Sequence, residues 1–244
     1  MKRALWVALA AAAAFAGILI ARLPAEWILP RARAGSSCTG IEGTLWSGTC
    51  AGLAVSGTPV GDVSWQLRPL PLLLGRLAAH LTLAQAAASG SADVELTLGG
   101  RVTARNLIAD LPLDARLIPG LPANLYGHAH LDVALAQVRH GVITRLEGRI
   151  EARDLEERSG ANTALGSYVV SFAGGSGSPV GKLHDLEGPL ALEGTLRLTP
   201  QPGFELEGFI APRHGAAPEL VNNIRFLGSP DAAGRRPFSL SGTF

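Results

Sequence analysis

The side chains with obvious coordinating or nucleophilic chemistry are few and scattered. His128 and His130 stand two apart beside Asp132, and imidazole with carboxylate is a transition-metal donor set. Alternation puts all three on one face of a strand, opposite Leu131 and Val133, which is the water-facing side of a half-buried antiparallel strand. No further residue completes a tetrahedral set, so no metal is assigned. Gly174-Gly175-Ser176-Gly177-Ser178 offers serines in a glycine-rich loop. It lacks the G-x-S-x-G of a nucleophile elbow, and no Gly-Lys-Ser/Thr follows to cradle phosphate. Aspartates and glutamates are dispersed over strand faces and turns, with no acid–base pair among them. No catalytic residue and no cofactor is expected, and the chain reads as non-enzymatic.

The other chemistry belongs to sulfur. Cys38 and Cys50 are the two cysteines of the chain, and their spacing is not C-x-x-C. A turn near Gly43-Thr44 sets them opposite each other, whereas one near Ser47-Gly48 sets them out of step. A disulfide closing so short a loop would contribute about 3 kcal/mol and would require an oxidising compartment. A pair of buried free thiols is the alternative.

The elements that must position these residues are strands. Ile41, Gly43, Leu45 and Ser47 alternate with Glu42, Thr44 and Trp46; Val63, Trp65 and Leu67 alternate with Asp62, Ser64 and Gln66. Such period-two patterns signal half-buried strands. Pro69 and Pro71 end pairing because proline lacks an N–H, and Leu72–Leu77 has room for one or two helical turns. Around Gly99-Gly100 a three-residue loop, Leu98 to Gly100, sets Leu96 opposite Val102 and Val94 opposite Ala104, which keeps apolar residues together. A two-residue His140-Gly141 turn sets Leu135 opposite Leu146 and Leu131 opposite Ile150. Residues 110–126, rich in Pro and Leu, read as a crossover between two β halves. Leu/Ile-Glu-Gly recurs at Ile41–Gly43, Leu146–Gly148, Leu186–Gly188, Leu192–Gly194 and Leu206–Gly208, with Leu240-Ser241-Gly242 as a weaker copy. Two readings fit: glycine relieving crowding in a curved sheet, or chance recurrence in a glycine-rich β chain. The fold class is all-β, mainly antiparallel with a curved, twisted sheet, plus one N-terminal transmembrane helix.

That helix is read from Ala4 to Ala21, an uncharged run between Lys2-Arg3 and Arg22 and long enough for a short span. Apolar residues continue past Ala14-Phe15-Ala16, which favours an uncleaved signal-anchor; a cleaved signal peptide is the alternative. Charge on the two flanks is nearly balanced, so the disulfide and the β-rich body decide the orientation. Residues 1–3 are expected in the cytoplasm, 4–21 in the inner membrane, 22–37 as a juxtamembrane linker and 38–244 as a periplasmic β domain, divisible into 38–109 and 127–244. Net charge of +1 and 5% aromatic residues argue against a nucleic-acid partner.

Gly43–Gly48 (GTLWSG), Val63–Leu67 (VSWQL), Leu73–Leu77 (LLGRL), Asn223–Gly228 (NIRFLG), and Pro230-Asp231 with Gly234–Pro237 (GRRP) resemble, in order and spacing, the protein N family of the type II (general) secretion pathway. The resemblance spans nearly the whole chain. It implies an inner-membrane accessory component that supports export of folded periplasmic proteins across the outer membrane, with other inner-membrane subunits as partners. The repeated strand-Gly pattern is also similar to AsmA-type β-groove proteins, which implies lipid contact instead. Phe238, Leu240, Gly242 and Phe244 share a face of the last alternating run, and an unpaired edge there could add a partner's strand. These four are the candidate partner-binding residues.

Overall fold

The computed structural model describes residues 15, 19, 21–27, 32–33, 36–55, 58–85, 88–113, 121–159, 162–175, 177–201 and 203–243. Its strands are β1 (Ala32–Arg33), β2 (Ser36–Ser37), β3 (Gly40–Gly43), β4 (Ser47–Val55), β5 (Thr58–Arg68), β6 (Arg76–Ala84), β7 (Ser89–Thr97) and β8 (Arg101–Pro112). They continue as β9 (Leu125–Arg139), β10 (Val142–Arg158), β11 (Asn162–Ala173), β12 (Val180–Glu187), β13 (Leu190–Thr199), β14 (Gly203–Pro212) and β15 (Arg236–Thr243). All fifteen belong to one sheet, and from β4 onward each strand pairs with the next. β2 and β3 share one side of β4. β8 pairs with β9 along its whole length, so the sheet is unbroken across the 113–124 connection.

The register explains why this meander folds. One row of facing residues runs Ile41, Cys50, Val63, Leu83, Gly90, Ala109, Leu131, Ile150, Val170, Leu183, Gly194, Gly208, Phe238 from β3 to β15. No position in it is polar. The adjacent row, Glu42, Thr49, Ser64, Thr82, Ser91, Ile108, Asp132, Arg149, Ser171, Lys182, Thr195, Glu207, Ser239, is polar except at Ile108. Alternation therefore sorts side chains onto one apolar and one polar face across thirteen strands.

The apolar face buries itself. Val133, Leu146, Phe172 and Leu198, from β9, β10, β11 and β13, form one buried cluster, flanked by Leu107, Ile150, Val170 and Phe204. Residues on one side of a single layer exclude water from each other only if that layer bends round them, so the sheet is curled with its apolar face inward. Asn106 and Asp154 adopt positive φ beside register shifts in β8 and β10. Both residue types tolerate that conformation, and bulges of this kind supply bending and extra twist.

The Val94–Ala104 and Leu96–Val102 pairs form as expected from the three-residue loop. The next hairpin departs from expectation. Leu131 faces Ile150, but Leu146 faces Ala136 and Leu135 faces Glu147, because irregularities after Ile143 and after Glu147 displace the register and then restore it. A short helix α1 (Pro69–Leu72) starts earlier than the leucine run suggests; proline suits a first helical turn, where its missing N–H costs nothing. Among the described residues no helix is long and apolar enough to cross a membrane. The run Ala4–Ala21 lies mostly outside those residues.

Cys38 and Cys50 are disulfide-bonded, with Cα atoms 5.7 Å apart. The turn falls later than Gly43-Thr44: Gly43 faces Gly48, so Ile41, not Cys38, lies opposite Cys50. The bond closes diagonally, from just outside β3 onto β4. Thiol titration of the denatured, unreduced protein is expected to find no free sulfhydryl, and reduction to lower stability by about 3 kcal/mol. Two thiols per chain would contradict this pairing.

Candidate protein interface at the last strand

The final hairpin is built on a helix that the alternating patterns do not reveal. Helix α2 (Pro218–Ile224) begins with Pro218, carries Glu219 in its first turn, and buries Leu220 and Ile224. Ile224 packs with Leu190 of β13 and Ile210 of β14, and Leu192 and Phe238 complete that cluster. The i, i+4 spacing of Leu220 and Ile224 behind a proline was the available signal for it.

From α2 the chain returns to the sheet through a loop fixed by three charged residues. Arg236 donates to the carbonyls of Arg225, at 3.3 Å, and of Gly228. Asp231 accepts the N–H groups of Ala233 and Arg235, each at 2.9 Å, and pairs with the Arg235 guanidinium at 2.9 Å. The Arg235 backbone N–H, ahead of its side chain, holds the Asp231 carboxyl below the usual range. Arg235 also bonds Glu193 and lies over the Phe209 ring, 4.9 Å from its centre. Asn223–Gly228 and Pro230–Pro237, distinct stretches of sequence, are thus one structural unit that aims β15.

A second clamp secures the corner ahead of α2. Asp185 accepts from the Leu192 N–H at 2.7 Å and from Arg213, which also reaches the Gly188 carbonyl at 3.2 Å. Burial pushes the Asp185 carboxyl up, but the Leu192 N–H and the Arg213 guanidinium outweigh it and hold it below the ordinary value. Because the folded pKa is depressed, its stabilisation is present above the unfolded value of ~3.9 and is lost as pH falls through the folded value. Asp185→Asn is expected to cost about 1–2 kcal/mol at neutral pH, Arg213 being partly solvated. The same substitution should flatten the loss of stability below about pH 4, as read from urea midpoints across pH. An unaltered acid limb would remove Asp185 from this role.

Strand β15 pairs with β14 from Gly203↔Thr243 to Ile210↔Arg236. On its other side no strand pairs among the described residues. Of the candidate partner-binding residues, Phe238 turns inward against the Ile224 cluster. Leu240 on the same face is 57% exposed. Gly242 lies under the Phe204 ring, where an added Cβ would come within 2.7 Å of Cε1. Phe244 falls outside the described residues. Arg236 and Pro237 open the strand, and Phe238–Thr243 carries no charge. Edge strands that resist pairing usually bear lysines, prolines or inward charges; beyond Pro237 the stretch Phe238–Thr243 carries none of these.

The histidines lie elsewhere. His128 and His130 occupy the polar face of β9, facing Arg153 and Glu151 of β10. His130 Nδ1 is 2.7 Å from Asp110, and Glu151 is held low chiefly by its hydrogen bond from Arg153. Among the described residues no group of three or more histidine, cysteine or acidic side chains is placed to hold a metal.

The profile of the family described as type II secretion system (T2SS), protein N, matches residues 34–239. The chain is 29% identical to type II secretion system protein N of Vibrio cholerae serotype O1 (strain ATCC 39315 / El Tor Inaba N16961), over 99% of both chains. It is 25% identical to type II secretion system protein N of Aeromonas hydrophila, again over 99% of both. No solved structure matches it.

Proposed function

The chain belongs to the type II secretion system protein N family, and on that premise we propose that it is a non-enzymatic accessory component of the secretion machinery. It supports export of folded periplasmic proteins across the outer membrane by binding other inner-membrane subunits. One span over 4–21 anchors it in the inner membrane, and the β body occupies the periplasm. The observation that carries this reading is the edge of β15, unpaired among the described residues and uncharged from Phe238 to Thr243, held in place by α2 and the arginine loop. A sheet edge of this kind captures a partner by strand addition, in which backbone hydrogen bonds give affinity and alternate side chains give selectivity. Deleting the gene is expected to leave secreted enzymes in the periplasm. A photo-crosslinker replacing Ser239 or Ser241 should yield an adduct with another secretion subunit. Normal export together with no adduct would end this reading.

A lipid-contacting function is the second reading, favoured by one observation. Trp65, Leu81, Val94 and Leu96, on the apolar face of β5–β7, are partly exposed and belong to neither buried cluster. Phospholipid co-purifying with the protein while export is unchanged would decide for it.

A further inference from the structure

Among the described residues, four of the five most exposed large apolar side chains gather at one end of the sheet, in two adjacent connections, the fifth being Phe226 after α2. Leu70, Leu73 and Leu74, between β5 and β6, are 76%, 84% and 75% exposed, and Leu98, between β7 and β8, is 92% exposed. These are not frayed ends. The N–H groups of Leu73, Leu74 and Gly75 bond the carbonyls of Leu70, Pro71 and Leu72 at 3.0–3.2 Å. Leu98 lies so close over Gly75 that a Cβ there would stand 2.8 Å from its Cδ1. The turn is closed by its own hydrogen bonds and presents leucines to solvent, and neither connection contains a charged residue.

The same end receives the chain from its uncharged N-terminal run. Leu45 N–H bonds the Leu23 carbonyl at 2.9 Å, Pro24 bridges Thr44, and Ala25 is fully buried. Leu67 N–H in turn bonds Trp46 at 2.6 Å, which ties that turn to the strand from which the leucines project. Behind the leucines stand Arg68 and Arg76, braced by Asp93 at 2.8 Å and Glu95 at 3.4 Å, with more than half of each arginine side chain exposed. Apolar tips backed by exposed arginines complement an acyl region under anionic headgroups.

We propose that the Leu70–Leu74 turn and Leu98 form a second membrane contact, inserting into the anionic leaflet beside the N-terminal run and fixing the tilt of the sheet on the bilayer. This inference requires the body and the N-terminal run to share one membrane surface. It does not require any secretion partner.

The full chain is placed in vesicles of phosphatidylcholine with phosphatidylglycerol, without other proteins, and carries an environment-sensitive nitrobenzoxadiazole label. The native cysteines are paired, so Leu73→Cys and, at the opposite end of the sheet, His214→Cys each supply one reactive thiol. The label at position 73 is expected to emit blue-shifted and severalfold brighter than at 214, and to be quenched by nitroxide-bearing lipid. Quenching should weaken in purely neutral vesicles. Emission at 73 that matches 214 would overturn the proposal. So would a blue shift unquenched by nitroxide lipid, the mark of a protein–protein contact. Quenching of equal depth in neutral vesicles would overturn the headgroup role of Arg68 and Arg76.

Discussion

Replacing Gly208 by leucine is expected to destabilise the protein by about 3 kcal/mol, at the upper end of the cost of overpacking. For a chain of this size that lowers the melting temperature by roughly 6–12 °C. Gly208 faces Gly194 in the apolar row, and a Cβ there would meet the Glu193 carbonyl oxygen, the Gly194 Cα at 2.8 Å and the Phe238 ring at 3.0 Å. Two of those neighbours are backbone and cannot turn aside. The pattern recurs along the face: Trp65 covers Gly48, Phe172 covers Gly181, and Phe204 covers Gly242. An aromatic ring thus occupies the space its glycine leaves, which lets adjacent strands bend without a void. Gly99→Ala is the control, since nothing lies within 4 Å of a Cβ there and its φ is ordinary. It should change stability by less than about 0.5 kcal/mol. Circular-dichroism melts of the two variants decide the matter; equal midpoints would show that the glycines carry no packing role.

The second large effect concerns binding. Leu240→Lys is expected to weaken capture of the secretion partner by ~30-fold, the equivalent of a hot-spot residue, while leaving the melt unchanged. Leu240 is half exposed at an unpaired edge, and a lysine there is the device by which edge strands refuse a neighbour. Removing the whole strand is a poorer test, because Phe238 also covers Gly208 and packs on the Ile224 cluster. Yields of the crosslinked adduct, compared at equal folded protein, give the measurement. Undiminished capture by the Leu240→Lys chain would move the partner site away from β15.

Much of the sheet was legible because alternation leaves little choice: slipping Val94 against Ala104 by one residue would turn every neighbouring side chain to the wrong face. Leu135 misled for a physical reason. The register irregularities on either side of it in β10 leave no mark in side-chain pattern, and they seat it against Glu147. Paired irregularities of this kind cancel, which is why Leu131 and Ile150 still met as expected. The helix Pro218–Ile224 escaped because a seven-residue segment spans only about two turns, too few for Leu220, Val221 and Ile224 to establish a period. At the candidate interface, Phe238 and Leu240 were readable as one face. That one is support and the other surface depends on α2, and so on contacts distant in sequence. The Leu-Glu-Gly recurrences carry Gly194 and Gly208, whose packing against each other follows from register and not from the tripeptides alone.

From β4 onward, neighbours in space are neighbours in sequence. A chain that emerges from any channel amino end first delivers such strands in the order in which they pair. Each newly emerged segment meets a ready template, and no strand waits for one still inside the channel. The growing margin is always the newest strand, so a stalled or truncated chain exposes a different margin from the finished one. The Phe238–Thr243 edge, with the Asp231–Arg235 clamp that aims it, therefore forms only on a β14 that is already in place.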